Sequence, residues 1–149
     1  MLSPDAIRRL REVKQHILAE PDRLMMRAWS FRTYGGVMYD SLKGYGLVGD
    51  APVKLKPPCG TAACIAGWVC LLDPLFEPTF GRGSSPDGWK AAKLLGSDED
   101  TMWQLFMVTN WPQHLQKKFA TTNLRQRADA AGEAIELFIA GDGKWAGLE

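Results

Sequence analysis

The run at 61–72, TAACIAGWVCLL, carries no charged side chain. A helix that is apolar all round has to be covered on most sides. The run therefore predicts a central helix, with Thr61 placed to cap it and Asp73-Pro74 to end it. Its neighbours in sequence supply amphipathic covers. Ser3-Pro4-Asp5 is a helix start, since Ser caps, Pro tolerates the first helical position and Asp complements the dipole. Behind it Ile7, Leu10, Val13 or Lys14, Ile17 and Leu18 recur at helical spacing, and the helix should stop before Glu20-Pro21.

Residues 22–31, with Leu24, Met25, Met26, Trp29 and Phe31, read as a shorter second helix. The glycines at 35, 36, 44, 46 and 49 and the prolines at 52, 57 and 58 then interrupt any long helix. Tyr34, Tyr39, Tyr45, Val48, Val53 and Leu55 suit strands, so the pattern allows a small β-hairpin within 33–58. Farther on, Ser85-Pro86-Asp87 repeats the first start signal, and Gly96 supplies a stop. Ser97-Asp98-Glu99-Asp100 caps a helix carrying Met102, Leu105 and Phe106 inward, with Trp103 a further candidate for that face. Asn110-Trp111-Pro112 breaks it and begins a short helix to Phe119. A long helix over 122–140 places Leu124, Ala128, Ala131, Ile135 and Phe138 on one stripe, with Gly141 beyond its end. The expectation is a mainly α, compact single-domain bundle of six or seven short helices over 1–149, with 142–149 a weakly ordered tail.

Composition narrows the function classes. The chain has 149 residues, a formal net charge of +1 and 23% charged side chains. A dedicated nucleic-acid binder normally shows a strongly basic balance or face, so nucleic acid is not an expected partner. No apolar run approaches the ~18–20 residues of a membrane span, so no membrane partner is expected either. The first residues lack the apolar stretch of a signal peptide, which makes the cytoplasm the expected compartment. Residues 101–128 carry four basic and no acidic side chains, and 129–149 five acidic and one basic. Such blocks are most often solvated faces that attract one another, the sharper alternative being a partner-docking patch.

The string with chemical potential is Cys59-Gly60-Thr61-Ala62-Ala63-Cys64-Ile65-Ala66-Gly67-Trp68. A thiolate at a helix N-terminus is stabilised by free N–H groups and the positive end of the dipole. Cys59 is therefore a candidate nucleophile, with the N–H groups of Gly60 and Thr61 as oxyanion donors and His114 as base. The plainer reading gives Cys59 a structural role, because His16 and His114 are the only histidines and nothing in the spacing brings either to it. His16, beside Gln15 in mid-helix, reads as a surface residue. Cys59, Cys64 and Cys70 lack the paired spacing of structural zinc. On one helix Cys64 and Cys70 would lie about 600° apart. No metal and no cofactor is expected.

Ala62, Ala63, Ala66 and Gly67 make the helix slim, by default for tight packing and alternatively for a ligand lying over Gly60, Thr61 and Ala63. Of the six tryptophans, those at 29, 68, 89 and 103 fall in apolar helical patterns, where core packing is the commoner role. Trp111 before Pro112 and Trp145 in the tail are expected to be exposed, which makes Trp111 a candidate contact. There is no phosphate loop, dinucleotide fingerprint, H-E-x-x-H or G-x-S-x-G.

Cys59-Gly60-Thr61-x-x-Cys64-Ile65-Ala66-Gly67-Trp68, with Glu20-Pro21-Asp22-Arg23 before it and Leu94-Leu95-Gly96 and Leu105-Phe106 after it, resembles a group of small uncharacterised bacterial and phage proteins with a C-G-T-x-x-C-x-A-G-W core. The resemblance spans roughly residues 7–139, and the central string is its specific part. A histidine often precedes the first cysteine in that group, where this chain has Pro58. The group has no established activity, so the resemblance implies a shared fold and a bacterial or phage source. Together these readings favour a non-catalytic binding or interaction protein with a protein or small-molecule partner. Two alternatives stand beside it: a cysteine-dependent hydrolase or transferase using Cys59, and a phage-type regulator that sequesters a host protein or small ligand.

Overall fold

Ser3 opens the first helix as its chemistry predicts: its hydroxyl accepts the Ala6 N–H at 3.0 Å, and α1 (Pro4–Ala19) ends one residue before Glu20-Pro21. The computed structural model describes residues 2–26, 31–32, 38–40, 53–55, 61–75, 88–121 and 123–145. Ala6, Leu10, Val13 and Ile17 form the buried stripe of α1.

The helix expected over 22–31 is replaced, in its described part, by a 3-10 turn at Pro21–Arg23 and an extended Leu24. The reason lies in the partner of this backbone. Ala63 donates its N–H to the Arg23 carbonyl at 2.9 Å and accepts from the Met25 N–H at 3.0 Å. Leu24, Met25 and Met26 are all buried, and three consecutive buried residues suit a segment covered on all sides better than a one-faced helix.

The same pairing delays the central helix. Thr61–Ala62 is a strand, β4, antiparallel to β1 (Phe31–Arg32). Helix α2 begins only at Ile65 and runs to Leu71, four residues later than the apolar run suggests. Between these strands in sequence, β2 (Met38–Asp40) pairs antiparallel with β3 (Val53–Leu55), so the segment allowed a hairpin does contain a two-stranded ladder.

The second half follows its sequence signals closely. α3 (Gly88–Leu94) closes at Gly96, whose φ of +63° is the left-handed conformation that favours glycine. The Gly96 N–H bonds to the Lys93 carbonyl and the Ser97 N–H to the Ala92 carbonyl, which satisfies the last turn. Asp98 caps α4 (Glu99–Phe106). A 3-10 turn at Val108–Asn110 leads to α5 (Gln113–Phe119). Asn123 caps α6 (Leu124–Ala140).

α6 packs between α1 and α5, while α2 packs against α1 and α3, and α3 against α4. One continuous core joins them, with Leu10, Ile17, Ile65, Phe106, Phe119 and Phe138 among its fully buried side chains. The chain is thus mainly α-helical, with six α-helices among the described residues. Residues 142–145, expected within a loose tail, return to the bundle. The Asp142 carboxylate accepts the Leu2 N–H at 2.8 Å, and Trp145 meets Phe138 edge-on at 5.4 Å. No helix among the described residues is long and apolar enough to cross a membrane.

Candidate functional site

The cysteine that sits at the N-cap of α2 is Cys64. Its Sγ accepts the Gly67 N–H at 3.3 Å, the role an oxygen plays in the other capped helices. Only 1% of Cys64 is exposed. Burial pushes its thiol up to about 12, against the opposing pull of the Gly67 and Ala66 N–H groups. A reactive cysteine needs the reverse, an accessible and lowered thiol. The helix start that would have activated Cys59 therefore lies farther along the chain and is occupied by an inert thiol. Cys59 and Gly60 themselves lie outside the described residues. The backbone of Thr61 is paired with Arg32 in the β1–β4 ladder.

Two of the proposed contact residues are buried. Ala63 is completely buried, because its N–H and carbonyl tie Arg23 and Met25 to the start of α2. Trp111 is 3% exposed. Its indole N–H donates to the Leu105 carbonyl at 2.7 Å, and its ring meets Phe119 edge-on at 5.6 Å. The Asn110-Trp111-Pro112 break turns the indole into the core instead of out of it. Among the described residues the exposed indole is Trp89, at 58%, which the helical pattern places inside. Lys93, one turn on, holds its ammonium 5.2 Å from that ring.

His114 is exposed near the start of α5 and borders an open feature of the described surface. This is a groove of about 700 Å³ along the outer face of α6, walled by α1 and α5. Asp129, Gly132, Glu133, Glu136, Leu137 and Ala140 form its α6 side. They recur at spacings of three and four, one helical stripe opposite the core stripe. Leu18 joins Leu137 and Ala140 in an apolar floor, and charged pairs form the rim. Lys118 meets Glu133 at 3.2 Å and Lys14 meets Glu136 at 3.2 Å. Arg11 adds a second partner to Glu136 at 3.3 Å, and this hydrogen bond leads the effects holding its carboxyl below the usual range. The opposite charge blocks of 101–128 and 129–149 thus meet at Lys118–Glu133 and, within α6, at Arg125–Asp129.

Sequence reasoning missed His16. Its ring lies 4.4 Å from that of Trp68, centroid to centroid, and its Nε2 is 2.9 Å from Arg23 Nη1. The sequence cue was present in the spacing of His16, Glu20 and Arg23, but Trp68 arrives only through the tertiary fold. Among the described residues no group of three His, Cys, Asp or Glu side chains could hold a metal ion. No protein-family model matches the sequence, and no curated protein and no solved structure shows significant similarity to it.

Proposed function

We propose that this chain is a non-catalytic binding protein, cytoplasmic and of bacterial or phage origin, that engages a partner protein through the α1–α5–α6 groove. The observation that carries the non-catalytic reading is Cys64, a buried thiol pushed up to about 12 at the one helix start beside the cysteine-rich string. The dipole there supports a cap, not a nucleophile. The groove supports the choice of a protein partner. It is open, with an apolar floor and internally paired rim charges, whereas small-molecule sites usually enclose most of their ligand.

Alkylation of the three cysteines from pH 5 to 9, read by peptide mass spectrometry, tests the first half. Cys64 and Cys70 are both buried, so they should stay protected in the native state. Cys59 should react no faster than an ordinary unperturbed thiol. Rapid labelling of Cys59 near pH 6 would overturn the reading and favour the hydrolase or transferase alternative. For the second half, Ala140→Arg places a long side chain in the groove from an exposed position. A partner cross-linked to the native chain should be lost from this variant while circular dichroism stays unchanged. Equal capture by both would remove the groove from the proposal.

A further inference from the structure

We infer that His16, Arg23 and Trp68 form a pH-sensitive clasp that locks the end of α1 to the start of α2 when His16 is neutral and loosens it when His16 is protonated. The inference stands independently of the proposed partner. Its first support is hydrogen-bond chemistry. A guanidinium has only donors, so the 2.9 Å contact from Arg23 Nη1 requires a lone pair on His16 Nε2. The proton of the neutral ring then resides on Nδ1. Protonating Nε2 removes the acceptor and sets two cations against each other at hydrogen-bond distance.

The second support is what Arg23 holds. Its carbonyl accepts two N–H groups, from Ala63 at 2.9 Å and from the Trp68 indole at 2.8 Å. Its guanidinium lies 5.9 Å from the centre of the Trp68 ring and pairs with Glu20. The Pro21–Arg23 turn is therefore the joint between α1 and α2, and Leu24 bridges to Ala63 immediately beyond it. Releasing the Arg23 side chain from His16 loosens the residue on which both tryptophan and strand bonds converge.

The charged groups around the clasp act in both directions. Glu20, the residue after α1, favours the protonated ring, and Glu12 on α1 is engaged with Arg8. The turn contributes Arg23, which opposes protonation, and Asp22. α2 contributes the uncharged Trp68 ring and the buried thiols Cys64 and Cys70. From α6, which packs on the turn, Arg125 donates to the Leu18 carbonyl and pairs with Asp129, and Arg127 lies over Phe119. Burial comes first and Arg23 second, and together they hold His16 below its ordinary value of 6.5 against Glu20. The sign follows: the folded clasp binds the proton more weakly than the unfolded chain. Its stabilisation is present above pH 6.5 and is lost as pH falls through the folded value.

The test is a nuclear magnetic resonance titration of the whole chain, in which His114→Gln assigns the two imidazoles. The His16 ring should titrate below 6.5, and the Trp68 indole N–H and Ala63 amide should shift in the same step, with amide exchange at Ala63 rising several-fold beyond its intrinsic pH dependence. Arg23→Gln keeps a donor but removes the charge, and should move the His16 midpoint upward. His16→Gln keeps an acceptor and should abolish the step at Trp68 and Ala63. A His16 midpoint at or above 6.5, or Trp68 and Ala63 signals indifferent to the His16 step, would overturn the clasp.

Discussion

Helices α1 and α2 touch, yet they are held by different physics. α1 has its own oxygen cap at Ser3, one buried stripe and an outer face laced by Asp5, Arg8, Arg9 and Glu12 at helical spacing. α2 has seven residues, no charge and a thiol cap, and Ile65 to Cys70 are all buried. A helix that short is not stable by propensity, because nucleation is costly and its hydrogen bonds are few. The surroundings supply what local sequence lacks: strand pairing at Thr61–Ala62, the Ala63 bonds to Arg23 and Met25, and the Trp68 indole bond to Arg23. One helix is written locally, the other is imposed by tertiary contacts.

The largest expected effect strikes the imposed helix. Trp68→Ala removes a nearly buried indole, its contact with His16 and its bond to the Arg23 carbonyl. A loss of about 3–5 kcal/mol in urea unfolding is expected. Trp68→Phe keeps much of the ring and leaves Arg23 still bonded to Ala63, so it should cost about 1 kcal/mol beyond its small volume change. Losses below about 1 kcal/mol for Trp68→Ala would break the comparison, because α2 would then stand without its seat.

Ser3→Ala addresses the local helix. Losing the hydroxyl that accepts the Ala6 N–H should lower stability by about 1 kcal/mol. A sharper version uses peptides. One covering 1–20 should show partial helicity by circular dichroism in the cold, whereas one covering 61–75 should show none. Helicity in the second peptide would mean that local sequence writes α2 after all.

This division explains what could be read in advance. Caps that use oxygen (Ser3, Asp98) and stops that use glycine or proline (Gly96, Pro21, Pro112) are local chemistry, and the corresponding helices fall where the residues place them. The long final helix was legible too, with Leu124–Ala140 lying inside the expected 122–140. Residues 22–26, 31 and 61–63 were misread because their backbone pairs across the fold, and apolar composition alone cannot separate a buried helix from a buried extended segment. The site suffered most from this. Moving the helix start to Ile65 gave the cap to Cys64, and the pairing of His16 with Trp68 depends on a contact between residues far apart in sequence. Trp111 was misplaced because a proline break was read as exposure, although the indole found its partner at Leu105.

Gly132 offers a smaller effect, with the opposite sign. It lies inside α6 against α1, and a Cβ there would meet Lys14 carbons at 3.5 Å and Leu18 Cδ1 at 3.7 Å, ordinary contact distances. Gly132→Ala should therefore raise stability by roughly 0.5–1 kcal/mol through helix propensity. A loss instead would show that the α1–α6 seam is closed more tightly than its geometry indicates.

The smallest effect concerns the charges across that seam. Glu136 accepts hydrogen bonds from Arg11 at 3.3 Å and Lys14 at 3.2 Å, and both partners lie on α1. Its carboxyl is held below the ordinary value of 4.5, mainly by Arg11. Whatever stability this lends is present above pH 4.5 and lost as pH falls through the lower folded value. The side chain is 36% exposed, so water and salt screen the pair, and Glu136→Gln should cost about 0.5 kcal/mol or less at neutral pH. The loss should shrink in high salt and vanish once the carboxylate of the native chain is protonated. Equilibrium unfolding of both chains at neutral and acid pH reads the difference directly. A salt-insensitive loss well above 1 kcal/mol would mean that α1 leans on α6 as heavily as α2 leans on Arg23, and that its local signals alone do not hold it in place.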